Sequence, residues 1–182
     1  MQLMKIILAI GIALMALGVS AAAMTVSVEN TNAGAGSKAV IPVKVGGATN
    51  LGAMDLVVTY DPAVLVFSSA DLGDLSSNGM IEANSATPGT VKIGFVDPSG
   101  VNGDGTLVKV TFNVIGKDSA TSPLNIQVSG AWNLNLVDIQ TTTSGGTFTV
   151  GGAKSPLSPV TVVGALCGAC LLVVFRRSRR ST

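Results

Sequence analysis

The sequence contains no histidine, and it has few of the other side chains on which catalysis depends. Its 182 residues include only two cysteines, Cys167 and Cys170, and both lie in an apolar segment near the C-terminus. The region before that segment therefore has no imidazole, no thiol nucleophile and no disulfide. These absences exclude the commonest general base and most transition-metal sites. The C-x-x-C spacing inside an apolar run indicates small packing residues rather than redox chemistry.

Charge is also scarce, at 12% of residues. Residues 24–155 hold six lysines and ten acidic residues, which leaves this region with a net charge of −4. No nucleic-acid partner is expected, because such surfaces need clustered Lys and Arg. The carboxylates are dispersed through turns, without the pairing that a glycosidase requires, and no S-x-x-K motif is present for a serine hydrolase. We therefore expect a protein that is not an enzyme.

Both ends of the chain have the composition of targeting and anchoring segments. Residues 1–23 combine an early lysine, an apolar run and terminal small residues, which predicts a cleaved signal peptide; an uncleaved anchor helix is the alternative. Residues 152–159 are rich in Gly, Ser and Pro and predict a linker. The uncharged apolar run at 160–175 predicts a transmembrane helix, and the arginines within 176–182 predict a cytoplasmic tail.

These segments predict a domain on the cell surface, anchored in the membrane by a C-terminal helix. A second interpretation of the tail remains open. A Pro-containing linker, an apolar span and arginines also resemble the sorting signals that sortase-like transpeptidases cut. Cleavage there would leave the domain covalently anchored or released.

The middle region, 24–151, has the pattern of an all-β domain. In the stretch LGAMDLVVTYDPAVLVF (51–67), Met54, Leu56 and Val58 fall on one side of an extended chain, and Asp55 falls on the other. A period of two with one apolar side predicts a strand that covers a core. Asp61-Pro62 then ends this strand, because proline disfavours helix in the residue before it.

Similar short runs recur between clusters of Gly, Asn, Ser and Asp, which predicts a β-sandwich or jelly roll. Pro42, which cannot donate a ladder hydrogen bond, is expected at an edge or a bulge. Val91, Ile93 and Phe95 are expected to face the core. The expected strands are 25–29, 39–45, 51–60, 64–68, 80–83, 91–96, 107–115, 124–128 and 147–150, with an irregular apolar stretch at 131–139.

The segment DPSGVNGDG (97–105) is predicted to be a tight polar loop between strands. It matches part of a calcium-binding loop pattern, which makes Asp97, Asn102 and Asp104 weak candidates for metal ligands. No metal site is expected here, because Thr111 stands where that pattern needs a bidentate glutamate and strands, not helices, flank the loop.

Residues 24–151 resemble a cohesin domain of cellulosomes. The segments that carry the resemblance are TVSVENTNAGAGSKAVIPVKV, LGAMDLVVTYDPAVLVF, VKIGFVDPSG and the closing GGTFTV, in this order along the chain. The resemblance implies a nine-stranded jelly-roll β-sandwich of two packed sheets. It also implies a non-catalytic role in binding dockerin modules on other, secreted proteins, through a face built from the family's eighth, third, sixth and fifth strands.

The resemblance also implies which residues bind the partner. Asp55 and Asp97 match acceptors, and Val96 and Leu136 match apolar contacts. Ser99 and Gly100 match the family's Ser-Gly in the following loop. Three positions depart from the family pattern. Ala53 stands where an asparagine is frequent, so one polar contact is missing. Lys92 and Gly94 stand where apolar residues are usual, which indicates either a different type of dockerin or another ligand.

We therefore expect a surface-tethered cohesin whose partner is a dockerin, with no cofactor of its own. Any Ca²⁺ is expected on the dockerin, and association with polysaccharide would be indirect. The alternative is an adhesin or cell-envelope module with the same fold that does not bind dockerin. A sugar-binding role would need exposed flat aromatics; Tyr60 is expected in the core, and packing is favoured over ligand contact for Trp132.

Overall fold

The computed structural model describes residues 23–76 and 78–151, where it consists of β-strands and their connections. No helix in this part of the chain is long and apolar enough to cross a membrane. The predicted signal peptide (except Ala23), linker, membrane segment and basic tail lie outside the described residues. The strands are β1 (Met24–Val28), β2 (Thr31–Ala33), β3 (Lys38–Thr59), β4 (Leu65–Leu72), β5 (Met80–Asn84), β6 (Thr90–Val114), β7 (Thr121–Asn133), β8 (Thr141–Ser144) and β9 (Gly146–Val150).

The strands form a sandwich in which β3 and β6 run through both layers. The front layer has the order β5, residues 90–96 of β6, residues 51–59 of β3, then β7, β9 and β2. The back layer has the order β4, residues 105–114 of β6, residues 38–46 of β3, then β1 and β8. The pairs β1–β8 and β2–β9 are parallel, and the other ladders are antiparallel. This architecture confirms the all-β prediction.

One apolar core lies between the layers, and the period of two in the sequence determines which residues enter it. Met54, Leu56 and Val58 are buried as predicted, and so are Val91, Ile93 and Phe95. Tyr60 is partly buried against the core, with its ring 4.8 Å from that of Phe112 in an edge-to-face arrangement. Burying one large apolar side chain stabilises the fold by roughly 1.5–3 kcal/mol. Because this core closes within residues 24–150, the segment is expected to fold on its own.

The prediction of a polar loop at 97–105 is wrong, because β6 continues through this segment and pairs with β3. Residues 46–50 were likewise expected to separate two strands, 39–45 and 51–60, but β3 continues through them. Register shifts between Val45 and Leu51 mark the place where the strand pair passes from one layer to the other. Glycines with positive φ, Gly47 at 70° and Gly103 at 91°, allow this bend.

We call this passage of β3 and β6 between the layers the crossing. Two of the weak candidates for calcium ligands, Asn102 and Asp104, lie in it, and their side-chain oxygens accept hydrogen bonds from backbone N–H groups. Asn102 Oδ1 accepts from the N–H of Asn50 at 2.8 Å, and Asp104 Oδ1 accepts from the N–H of Gly47 at 2.6 Å. The register shifts leave these N–H groups without a ladder partner, and the side chains supply one. No group of three or more potential ligands among His, Cys, Asp and Glu occurs in the described residues.

Two short strands went unpredicted. Thr31–Ala33 pairs with β9, and Thr141–Ser144 pairs with β1. Neither strand has an alternation of apolar and polar residues, so no pattern in the sequence predicts it. Pro42 lies next to the register shift at Val43 and beyond the end of β1, which agrees with the expected bulge position.

Candidate functional site

The outer surface of the front layer brings together most of the predicted site residues. Its central strands have the order β7, β3, β6, β5, and every second residue on each strand points away from the core. Antiparallel register aligns these outward residues in rows across the strands. We call this surface the front face. At a strand spacing of about 4.8 Å, four strands give it a width of about 15 Å before side chains are counted.

The first row of the front face is apolar. Met80 pairs with Val96, Val96 pairs with Ala53, and Ala53 pairs with Trp132. Met80 is 68% exposed and Val96 is 46% exposed. The six-membered ring of Trp132 occupies the space over Gly130, where a Cβ would collide with it. Trp132 therefore packs on the outside of its own sheet and extends the apolar row to the fourth strand.

The second row is acidic and has no side chain at two of its four positions. It runs from Glu82 through Gly94 and Asp55 to Gly130. Asp55 is exposed, as the alternation predicted, and it is a diagonal neighbour of Val96 in the first row. The third row is polar on three of its four strands, and it consists of Asn84, Lys92, Val57 and Gln127.

A hairpin at residues 131–139 forms one rim of the front face. Asn133 closes its turn, because Asn133 Oδ1 accepts hydrogen bonds from the N–H groups of Asn135 and Val137. Leu136 lies at the tip, 84% exposed and with a φ of 60°, a conformation that disfavours any residue with a Cβ. The predicted contact residue Leu136 is thus displayed to solvent at the edge of the face.

Asp97 does not lie on the front face, contrary to the expected role as an exposed acceptor. It is only 4% exposed, and its carboxylate accepts hydrogen bonds from Ser76 Oγ at 2.6 Å and from the N–H of Ser99 at 2.8 Å. The reason is the period of two: Phe95 points inward, Val96 outward and Asp97 inward again. Asp97 therefore ties the connection between β4 and β5 to β6.

Ser99 and Gly100 lie beside the rim hairpin. Ser99 is exposed, and its backbone is held by Asp97. Gly100 has a φ of 74°, and a Cβ there would lie 2.5 Å from Asn50 Oδ1 and 3.1 Å from Leu134 Cδ1. Only glycine fits this close approach, so Gly100 shapes the rim through its backbone.

The structure thus brings Asp55 and Val96 together on one face, puts Leu136 on its rim, and buries Asp97. Their roles in partner binding stay predictions. Sequence reasoning missed Met80, Glu82 and the outward placement of Trp132. Met80 and Glu82 could have been found, because they alternate with Ile81 and Ala83 along β5. The outward placement of Trp132 could not, because the register of β7 is irregular near Ser129.

Comparisons with known proteins assign the family. The family model of the cohesin domain matches residues 24–150. A non-cellulosomal cohesin from the hyperthermophilic archaeon Archaeoglobus fulgidus is 26% identical, with a TM-score of 0.65 over 73% of this chain and 94% of that chain. A search of curated proteins gave no match.

More distant solved structures share the fold. The sixth cohesin of scaffoldin B from Acetivibrio cellulolyticus, solved with a Cel5 dockerin variant, is 22% identical, with a TM-score of 0.64 over 71% of this chain and 100% of that chain. The cohesin of a type I cohesin–dockerin complex from Clostridium thermocellum is 13% identical, with a TM-score of 0.65 over 71% and 100% of the two chains. Because the family model covers the whole described sandwich, this chain belongs to the cohesin family.

Proposed function

We propose that this cohesin domain binds dockerin modules of secreted proteins and that the front face is the binding surface. Cohesins are non-catalytic binding modules, and several solved relatives are complexes with dockerins. The observation that carries the proposal is the apolar row of Met80, Val96, Ala53 and Trp132, which crosses all four central strands without a polar interruption.

Such a row has the composition of an interface core. The buried centre of a protein interface is depleted of charge and enriched in aromatic residues and Met, and polar groups surround it. Here the acidic row with Asp55 borders the apolar row on one side, and the rim hairpin with Leu136 contributes a further apolar group. A specific interface buries on the order of 1,600 Å² in total, counting both partners.

In this proposal Val96 occupies the apolar centre, Asp55 accepts hydrogen bonds from the dockerin, and Leu136 contacts it at the rim. Asp97 acts indirectly, by holding Ser76 and Ser99 at the edge of the face. The cohesin supplies no metal, and Ca²⁺ belongs to the partner. Association with polysaccharide follows only if the captured protein itself carries a polysaccharide-binding module.

We further propose that residues 1–23 direct export and that residues 160–175 anchor the protein, so that the domain faces outward. The support is the sequence pattern of these segments and the positive tail that follows. Protease treatment of intact cells tests this orientation. The domain should be lost from intact cells at the same rate as a known surface protein, and protection of the domain until lysis would contradict it.

A capture experiment tests dockerin binding. Immobilised residues 24–151 are incubated with proteins secreted by the source organism, in Ca²⁺ or in chelator, and bound proteins are identified by mass spectrometry. We expect a protein with duplicated D-x-N-x-D-G calcium loops that is captured only in Ca²⁺. A folded domain that captures none would leave the adhesin or cell-envelope role as the better proposal.

A further inference from the structure

A depression of about 400 Å³ interrupts the front face beside the apolar row. It spans β5, β6 and β3, and Ser129 closes it on the β7 side. The outward residues that line it are Asp55, Val57, Glu82, Asn84, Lys92 and Gly94. The cavity therefore lies within the proposed binding surface, and its lining is mostly apolar, with the charged side chains of Asp55, Glu82 and Lys92 around it.

Gly94 creates this depression because it has no side chain. A Cβ built on Gly94 would meet only one atom within 4 Å, Asp55 Oδ1 at 3.7 Å. The carboxylate of Asp55 therefore leans over the space that a side chain at position 94 would fill. The backbone of Gly94 has no left-handed φ that would require glycine, so the opening is a property of the surface and not of a turn.

Glu82 lies across the same opening. It pairs with Gly94 from the other side, so Glu82 and Asp55 are two strand spacings apart, or roughly 10 Å between backbones. Within residues 23–76 and 78–151 the salt bridges are Lys44–Glu29 and Lys109–Asp74, and neither involves these two acids. No hydrogen bond to either carboxylate occurs in that region. Two carboxylates thus face one cavity with their acceptor positions open.

A long cationic side chain fits this arrangement. Its charged head can donate hydrogen bonds to both carboxylates, and charge-assisted hydrogen bonds of this type are about twice as strong as neutral ones. Its aliphatic stem can cover the bare backbone at Gly94.

We propose that the depression over Gly94 receives a lysine or arginine side chain of the bound dockerin, held between Asp55 and Glu82. This inference rests on the proposed function, and it adds the chemistry of one partner residue. Lys92, a diagonal neighbour of both acids, competes with the incoming cation. Its removal is therefore expected to strengthen binding, which is the opposite of the effect of removing either acid.

The first test uses small probes and requires no dockerin. Residues 24–151 labelled with ¹⁵N are titrated with N-acetyl-arginine methylamide and N-acetyl-lysine methylamide, and the neutral N-acetyl-citrulline methylamide is the control. We expect chemical-shift changes centred on Gly94, with at least threefold weaker binding for Asp55→Asn and Glu82→Gln and about twofold tighter binding for Lys92→Ala. Asp71→Asn, an exposed acid on the back layer, should change nothing.

Equal shifts with citrulline, or shifts with the cationic probes that do not involve Gly94, would overturn the proposed cation site while leaving dockerin binding intact. The second test uses the dockerin identified by capture. Gly94→Leu, which fills the depression, and Glu82→Gln should each weaken that complex at least tenfold. Gly34→Leu is the matched control, since this glycine also has open space around it and no positive φ. Unchanged affinity in both front-face variants would refute the site although the dockerin still binds.

Discussion

The two outer faces of the sandwich carry similar residues in different arrangements. The back face also exposes apolar side chains, among them Val40 at 53% and Val66 at 42%. Each of these lies in a row with polar partners, however, because Val40 pairs with Thr111 and Val66 pairs with Asn113. On the front face, by contrast, four apolar residues are consecutive in one row.

The two faces also differ in whether their acidic side chains form ion pairs. The acids Glu29 and Asp74 pair with lysines of the back layer at 2.7 Å, whereas the front-face acids Asp55 and Glu82 take part in no ion pair within the described region. A surface on which some charges are paired with one another and apolar groups are dispersed offers little to a partner. The comparison shows that arrangement, not the amount of exposed apolar surface, distinguishes the proposed binding face.

The largest expected effect comes from a charge placed in the apolar row. Val96→Asp should weaken dockerin binding at least about 100-fold, or about 2.7 kcal/mol, because the partner would bury an unpaired carboxylate. Val40→Asp is the matched control on the back face, with similar exposure in the native domain, and it should leave the affinity within about twofold. Isothermal titration calorimetry measures both, and circular dichroism confirms that both variants are folded.

Equal losses of affinity in the two valine variants would remove the distinction between the faces. A loss confined to Val40→Asp would transfer the proposed binding surface to the back layer. The cation site keeps its own tests in the depression over Gly94, which neither valine lines.

The next comparison concerns carboxylates that are buried or exposed. Asp97→Ala should destabilise the domain by about 2 kcal/mol, because it leaves the buried hydroxyl of Ser76 and the N–H of Ser99 without an acceptor. Asp74→Ala, which breaks an exposed ion pair with Lys109, should cost less than about 0.5 kcal/mol. Urea denaturation followed by tryptophan fluorescence measures both free energies of unfolding.

Asp97→Ala should also increase hydrogen exchange in residues 73–79, since Asp97 holds Ser76 there. A dockerin contact at Asp97 without this structural role would instead lower affinity with no change in exchange or stability. The two readouts together separate a positioning residue from a contact residue.

The period of two in the sequence predicted the core and much of the front face. It placed Met54, Leu56 and Val58 inward and Asp55 outward, as the structure has them. The same alternation, continued past Phe95, would have placed Asp97 inward. The family resemblance was followed there instead, and it gave an exposed acceptor that the structure does not have.

The sequence could not reveal the continuity of β3 and β6 through their crossing. Gly47, Asn50 and Gly103 are turn-forming residues by local propensity, so the segments were predicted as loops. In the fold, tertiary pairing between the two segments overrides that propensity, and the side chains of Asn102 and Asp104 complete the hydrogen bonds. Such reciprocal support between segments about 50 residues apart leaves no local signal.

That crossing provides a smaller test, because it joins the two layers. Asn102→Ala and Asp104→Ala should each cost about 1 kcal/mol by leaving a backbone N–H of β3 unpaired. Thermal unfolding should show the same decrease in Ca²⁺ and in chelator, since these oxygens serve the backbone. A melting temperature of the native domain that rises in Ca²⁺ and no longer rises in the two variants would restore the calcium site.

The smallest expected effect separates stability from binding at the rim. Leu136 holds a φ of 60°, which costs a residue with a Cβ about 1–2 kcal/mol, and little of its side chain is buried. Leu136→Gly should therefore stabilise the domain by about 0.5 kcal/mol, after the greater freedom of glycine in the unfolded chain is subtracted. The same variant should weaken dockerin binding several-fold, because the exposed leucine is lost from the interface. A stabilised variant with unchanged affinity would place the interface away from this rim.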